Sequence, residues 1–200
     1  MKSSSCLTLF TLLYGLLFAF VAATAKDYGV WLAEILPATL ILILIWLTRS
    51  RFPLSTTAYV LMFIWLTLHT IGAKYSFAEV PFDWFNHLIG SERNQFDRVA
   101  HFSIGLYAYP IAEILLRHKK LSLPIAASYA LFAIMSVAAG YEIVEWWYAV
   151  HVGGSQGIAF LGSQGDVWDA QKDMLCDTLG ALCALGLLVL QTRRRLAYPS

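Results

Sequence analysis

Six apolar runs separated by short polar breaks organise this chain, at residues 6–25, 30–48, 54–73, 98–116, 121–146 and 174–191. Each is long enough to cross about 30 Å of hydrocarbon at about 1.5 Å per helical residue. A lone span must satisfy its own backbone hydrogen bonds, so each run is predicted to be a helix. The expected fold is all-α, a polytopic bundle of six transmembrane helices in a single integral-membrane domain over residues 1–200. Pro110 falls inside the fourth run and should kink it, whereas Pro124 opens the fifth, where proline is tolerated. In the third loop, residues 81–90 begin with proline, end with glycine and carry aromatic residues between, which predicts a short interfacial helix. The loop at 151–165 contains Gly-Ser-Gln-Gly twice and reads as a flexible connector, although such a loop could also present amides to an anion.

The first run allows two readings. Lys2, the apolar stretch and Ala23-Thr24-Ala25 resemble a secretory signal with a small-residue cleavage site. Its length fits a full span better than the roughly 7–15 apolar residues of a signal, which favours an uncleaved helix.

Composition agrees. The chain is 58% hydrophobic and 14% charged, with mean hydropathy +0.62, whereas a soluble domain carries about 25% charged residues. Its net charge of +1 is spread over short clusters, which gives no basic stripe for nucleic acid. Cys6, Cys176 and Cys183 lie in apolar runs without metal-type spacing and read as small fillers. Positive charge is lopsided. Lys2, Arg49, Arg51, Arg117, Lys119, Lys120 and Arg193-Arg194-Arg195 fall on one side of a six-span arrangement, which puts both termini in the cytoplasm. Trp31, Trp84, Trp146, Trp147 and Trp168 fall toward the other face, as an aromatic belt.

Against this frame, nine polar residues share one depth: His69, Asp97, His101, Glu142, Glu145, Asp166, Asp169, Asp173 and Asp177. Helix rise puts His101 about 24 Å and Asp97 about 30 Å from Arg117, His69 about 27 Å beyond Arg51, and Asp177 about 24 Å above Arg193. Charges near hydrocarbon cost about 2.5–3.5 kcal/mol each on insertion scales, so levelling across four helices points to a shared polar site at the outer face. Asp97 and His101 are four apart, Glu142 and Glu145 three apart, and the aspartates at 166, 169, 173 and 177 make one helical stripe. Gly180 and Ala184 extend that stripe with small residues suited to close helix packing.

Carboxylates and imidazole from several bundle helices are a ligand set for a divalent metal ion, with magnesium, manganese, calcium and zinc about equally suited. The candidate ligands are Asp97, His101, Glu142, Asp173 and Asp177, with Glu145 as general base. The plainer alternatives are local. Asp97 could pair with Arg93 or Arg98, Lys172 could neutralise the stripe, Asp173 could serve a helix dipole, and Asp166, Asp169 and Glu145 could be wet loop-end residues. His69 fits a satisfied core histidine. Glu113, four before Arg117, should pair with it, and His118 belongs to the basic anchor.

The run Asn94-Gln95-Phe96-Asp97-Arg98-Val99-Ala100-His101-Phe102, then Glu142, Glu145, Asp169, Asp173-Met174, Asp177 and Gly180, resembles the YjdF-type family of bacterial inner-membrane proteins. The resemblance covers nearly the whole chain and implies an inner-membrane location with no defined activity. A second, partial likeness is to VanZ-type membrane proteins, from which the chain departs at Asp177, usually asparagine there, and at Glu145, often glutamine.

Three functions fit these residues. One is a metal-dependent enzyme acting on a lipid-linked or envelope substrate. Another is a non-catalytic component of the bilayer that binds a lipid headgroup, a metal or a partner protein. The third is a proton- or cation-coupled transporter, disfavoured because the acids gather at one face, none lies at mid-depth and no inverted repeat is evident. No serine or cysteine nucleophile pattern, phosphatase-type basic pattern or His-Glu-x-x-His motif is present.

Overall fold

Every apolar run forms a helix in the computed structural model, which describes residues 3–197 without the side chains of residues 3, 159 and 194–197. Lys2 lies outside the described residues, as do the side chains of Arg194 and Arg195. In chain order the helices are α1 (Ser3–Thr24), α2 (Tyr28–Thr48), α3 (Thr56–Tyr75), α4 (Asp83–Leu88) and α5 (Phe96–Gly105). They continue with α6 (Ala108–His118), α7 (Leu123–Val152), α8 (Gly154–Leu161) and α9 (Asp169–Ala197). No strand occurs among the described residues. Among the described residues, six spans are long and apolar enough to cross a membrane: α1, α2, α3, α5 with α6, α7 and α9.

Local chemistry explains the boundaries. Asp27 caps α2 by accepting from the amides of Val30 and Gly29, and those two bonds hold its carboxyl below the usual range. Ser55 caps α3, and its own amide and hydroxyl donate to Glu113 at 3.0 and 2.8 Å. Arg117 pairs with Glu113 at 2.6 Å, the i, i+4 pair expected from the sequence. The fourth span breaks where Pro110 withholds a donor from the Leu106 carbonyl. Three-residue hydrogen bonds at Leu106, Tyr107 and Tyr109 fill the break, separating α5 from α6.

Helices α5 and α9 approach backbone to backbone, and glycine makes it possible. A Cβ on Gly180 would run into the Phe102 carbonyl, and one on Gly105 into the Asp177 carbonyl and the Ala181 amide. These backbones therefore meet with nothing between them, as small-residue crossings in membranes do. Helix α3 packs on α1, α2 and α5, while α7 packs on α6, α8 and α9. Helix α7 has 30 residues, about 45 Å of helix, so it outreaches the hydrocarbon.

The short helix of the third loop forms as expected, as α4, with Trp84 and Leu88 exposed. The 151–165 connector is corrected: most of it is helix α8. Its glycines mark the turns around a helix that folds back on α7. Gly153, Gly154 and Gly162 take positive φ at its ends, and Gly157 lets it approach the Ala149 backbone. The Tyr148 and Phe160 rings, 4.1 Å apart, hold the two helices together.

Candidate functional site

The loops before α5 and before α9 are stitched together, and that seam positions the charged residues. The Asn94 amide donates to Gln164 Oε1 at 3.0 Å, and Gln164 Nε2 returns a bond to the Asn94 carbonyl at 3.1 Å. Asn94 Nδ2 also donates to the carbonyls of Ala78 and Val80, which fixes the segment leading from α3. Arg93 donates to the Ser163 carbonyl at 2.5 Å. The start of α5 is thereby held against the start of α9.

Two arginines bridge that junction. Arg98 pairs directly with Asp169 and Asp173 and lies 3.4 Å from Asp166 and 4.0 Å from Asp97. Arg93 reaches Asp169 at 2.6 Å and Asp97 at 3.5 Å, and Lys172 holds Asp166 at 2.7 Å. Asp166, outside the spans, is held below the usual carboxylate range first by Lys172 and then by the Trp168 amide. Asp169 and Glu145 are buried, which corrects their reading as wet loop-end residues. The outer aspartates are thus ion-paired.

Deeper in, the imidazole of His101 takes over. Its Nδ1 lies 3.3 Å from both oxygens of Asp177, and its Nε2 lies 3.7 Å from Asp97 and 3.8 Å from Asp173. One ligand atom each from Asp97, His101 and Asp173 falls within a 4.8 Å span, close enough to share a cation. Asp177 is 1% exposed and faces His101 across the glycine crossing. From α7, Glu142 brings a buried oxygen with no hydrogen bond. Glu145 is 9% exposed and makes no hydrogen bond or ion pair among the described residues.

His69 stands apart from the charges. Its Nε2 donates to the Glu34 carbonyl at 2.7 Å and its ring stacks on Trp65, so it is the satisfied core histidine the sequence suggested. The Glu34 side chain is a residue that sequence reasoning passes over. It is 2% exposed on α2 and accepts a 2.9 Å hydrogen bond from the Tyr141 hydroxyl of α7. A single carboxylate seven residues into an apolar span was the available signal.

A cavity opens among these groups, with about 750 Å³ of space including its mouth. Glu34, His69, Asp97, His101, Glu145 and Asp177 line its polar end, whereas Asp166, Asp169, Asp173 and Glu142 lie outside its lining. All nine residues singled out in the sequence therefore gather at one end of the bundle, but only five of them face the cavity.

Six spans with a buried Asp–His–Arg cluster at one end define a multi-pass membrane protein with an internal polar site. Residues 6–194 match the family model described as "Predicted membrane protein (DUF2238)", and the chain belongs to that family. It is 35% identical over 171 residues to "Inner membrane protein YjdF" of Escherichia coli (strain K12), a match covering 84% of this chain and 81% of that protein. The family expected from the Asn94–Phe102 segment and the acidic helix ends is the one found, and the chain is a bacterial multi-pass inner-membrane protein. No solved structure matches it.

Proposed function

We propose that this protein is a metal-dependent enzyme acting on a lipid-linked or envelope substrate. A divalent cation would be held by Asp97, His101 and Asp173, with Asp177 fixing the imidazole. The observation that carries the reading is Glu145, a nine-tenths buried residue that has no hydrogen bond or ion pair among the described residues and lines the same cavity as Asp97 and His101. Burying such a group without compensation is costly, so it persists where a ligand or a reaction uses it. Glu145 is accordingly assigned as general base. The charge balance supports a cation. Asp97, Asp166, Asp169, Asp173 and Asp177 outnumber Arg93, Arg98, Lys172 and the imidazole of His101, with which they pair. A bound cation would polarise a carbonyl or phosphoryl oxygen of the substrate.

A second reading, a non-catalytic lipid- or partner-binding component, is favoured by the two arginines that already engage Asp169 and Asp173. Elemental analysis and chelator-dependent melting of the detergent-purified protein separate the two. The enzyme reading expects about one divalent ion per chain and a chelator-induced fall in melting temperature that disappears in Asp177→Asn. No metal, and no shift in either protein, would leave the non-catalytic reading.

The site is assigned to the outer face, with both termini cytoplasmic. Arg49, Arg51, Arg117, Lys119 and Lys120 cluster at the helix ends remote from it, which supports that orientation. Reporter fusions after Lys120 and after Arg195 should give the same cytoplasmic signal and one after Gly157 the opposite. Opposite signals at Lys120 and Arg195 would refute the arrangement.

A further inference from the structure

Helices α2 and α7 flank the cavity, yet they scarcely pack on each other. Helix α2 packs on α3 and α8, and α7 on α6, α8 and α9. What joins them is the 2.9 Å hydrogen bond from Tyr141 to Glu34. Below that bond, each helix turns a stripe toward the cavity: Pro37 and Ile41 on α2, Ile134, Val137 and Ala138 on α7. Spacings of three and four keep each stripe on one helical face. The positions run oppositely along the two helices, so Glu34 lies level with Tyr141 and Ile41 with Ile134.

The space therefore has two ends of different chemistry. Its upper end is polar, with His101, Glu145, Asp177 and the Glu34–Tyr141 bond. Its lower end, about 10 Å deep from Glu34 to Ile41 by helix rise, is apolar. Val137 both lines this space and is 57% exposed on the outer surface of α7, so the cavity wall runs on into the lipid-facing surface. Leu36, Leu40 and Leu44 continue the same apolar exterior on α2. An apolar slot open to hydrocarbon, ending in buried carboxyl and imidazole groups, matches the shape of an amphiphile.

We propose that the cavity takes one acyl chain of a bilayer lipid, which enters sideways between α2 and α7 and brings its headgroup to His101 and Glu145. This rests on the proposed function for the chemistry at the polar end, but lipid entry itself does not require a metal. Tyr141 and Glu34 form the latch across the mouth, and their bond must lie above the chain or part for its passage. Helix α8 closes the space from the outer end through Phe160 and Leu161.

The test uses full-length protein in vesicles containing phosphatidylethanolamine with a diazirine near the end of one acyl chain. After illumination, labelled residues are mapped by peptide mass spectrometry. Ile134, 3% exposed, the buried Trp65 and the half-buried Ile104 line the cavity away from bulk lipid, so labelling there reports entry. The expected result is labelling at two or more of these three, reduced at least fivefold in Ala138→Phe, which fills the slot from the cavity wall. Val144→Phe, on the exposed side of α7, should leave the pattern unchanged. Should Ala138→Phe fail to fold, Ile41→Trp blocks the same mouth from α2. Labels confined to exposed residues such as Leu40 and Val144 would overturn the proposal, as would cavity labelling that both blocking variants leave intact. Metal content measured on the same samples keeps the two ideas separate. Cavity labelling without metal refutes the metal reading alone, and metal without cavity labelling refutes lipid entry alone.

Discussion

Replacing Arg98 by glutamine should destabilise this protein more than any other single charge removal at the site. Its guanidinium contacts Asp169 and Asp173 and lies within 4.0 Å of Asp166 and Asp97. The Arg98 side chain is 11% exposed and that of Asp173 only 3%, so water cannot compensate for the lost charge. Removing one partner of a buried pair costs about 3–5 kcal/mol, because the other charge is left buried and unpaired. Arg93 still holds Asp169 at 2.6 Å, which argues for the lower end of that range. At about 2–4 °C per kcal/mol for a chain of this size, a loss of about 3 kcal/mol lowers the melting temperature by about 6–12 °C. Equilibrium unfolding in mixed micelles, read by circular dichroism, measures the difference directly. Asp173→Asn in the same chain should restore part of the loss, since it removes the charge that Arg98 balances. Lys172→Gln is the control: its side chain is 52% exposed, and loss of the solvated Asp166 pair should leave the unfolding midpoint nearly unchanged. An Arg98→Gln protein within about 1 kcal/mol of wild type, with no recovery in the double variant, would show the network to be solvated and the reasoning wrong.

Two further predictions use other parts of the fold. Gly180→Ala should cost about 1–3 kcal/mol and pull Asp177 away from His101, because the new methyl meets the Phe102 carbonyl. Gly15→Ala, with open space around it, should be neutral or stabilising, and equal stability of the two variants would refute the close crossing. Asp166 is held below the usual carboxylate range, so its contribution is present above the ordinary value of 3.8 and lost as pH falls through its lower value in the folded protein. The protection factor of the Trp168 amide, which donates to Asp166 at 3.1 Å, should therefore fall at the acid end in wild type and be low throughout in Asp166→Ala. Protection insensitive to both acid and substitution would count against it.

The spans were legible because each apolar run had to be a helix, and Pro110 foretold the break between α5 and α6. The shared level of the polar residues was also legible, since helix rise turns sequence distance into depth. Helix α8 was hidden by its glycines, which look like linker composition until packing against α7 gives them a role. Within the site, spacing showed which residues share a helix face but not which face meets which. Sequence therefore left Arg98 as one of several pairing options, while the structure makes it the hub of the aspartate network. Glu34 escaped notice for a related reason: its partner, Tyr141, lies 107 residues away and across a cavity.

The pairing of α5 with α9 has a consequence for how the chain is made. Arg98 leaves the ribosome 71 residues before Asp169, its partner. At about 5–20 residues per second, the fourth span waits about 4–14 s for the start of α9 to arrive. During that interval Asp97, Arg98 and His101 sit near hydrocarbon without the carboxylates that later surround them. The span bearing them is apolar mainly beyond Ser103, so its charged turn can stay at the membrane surface until α9 inserts. Helix α9 brings the carboxylates that surround that turn, so the site forms only once α9 has joined the bundle.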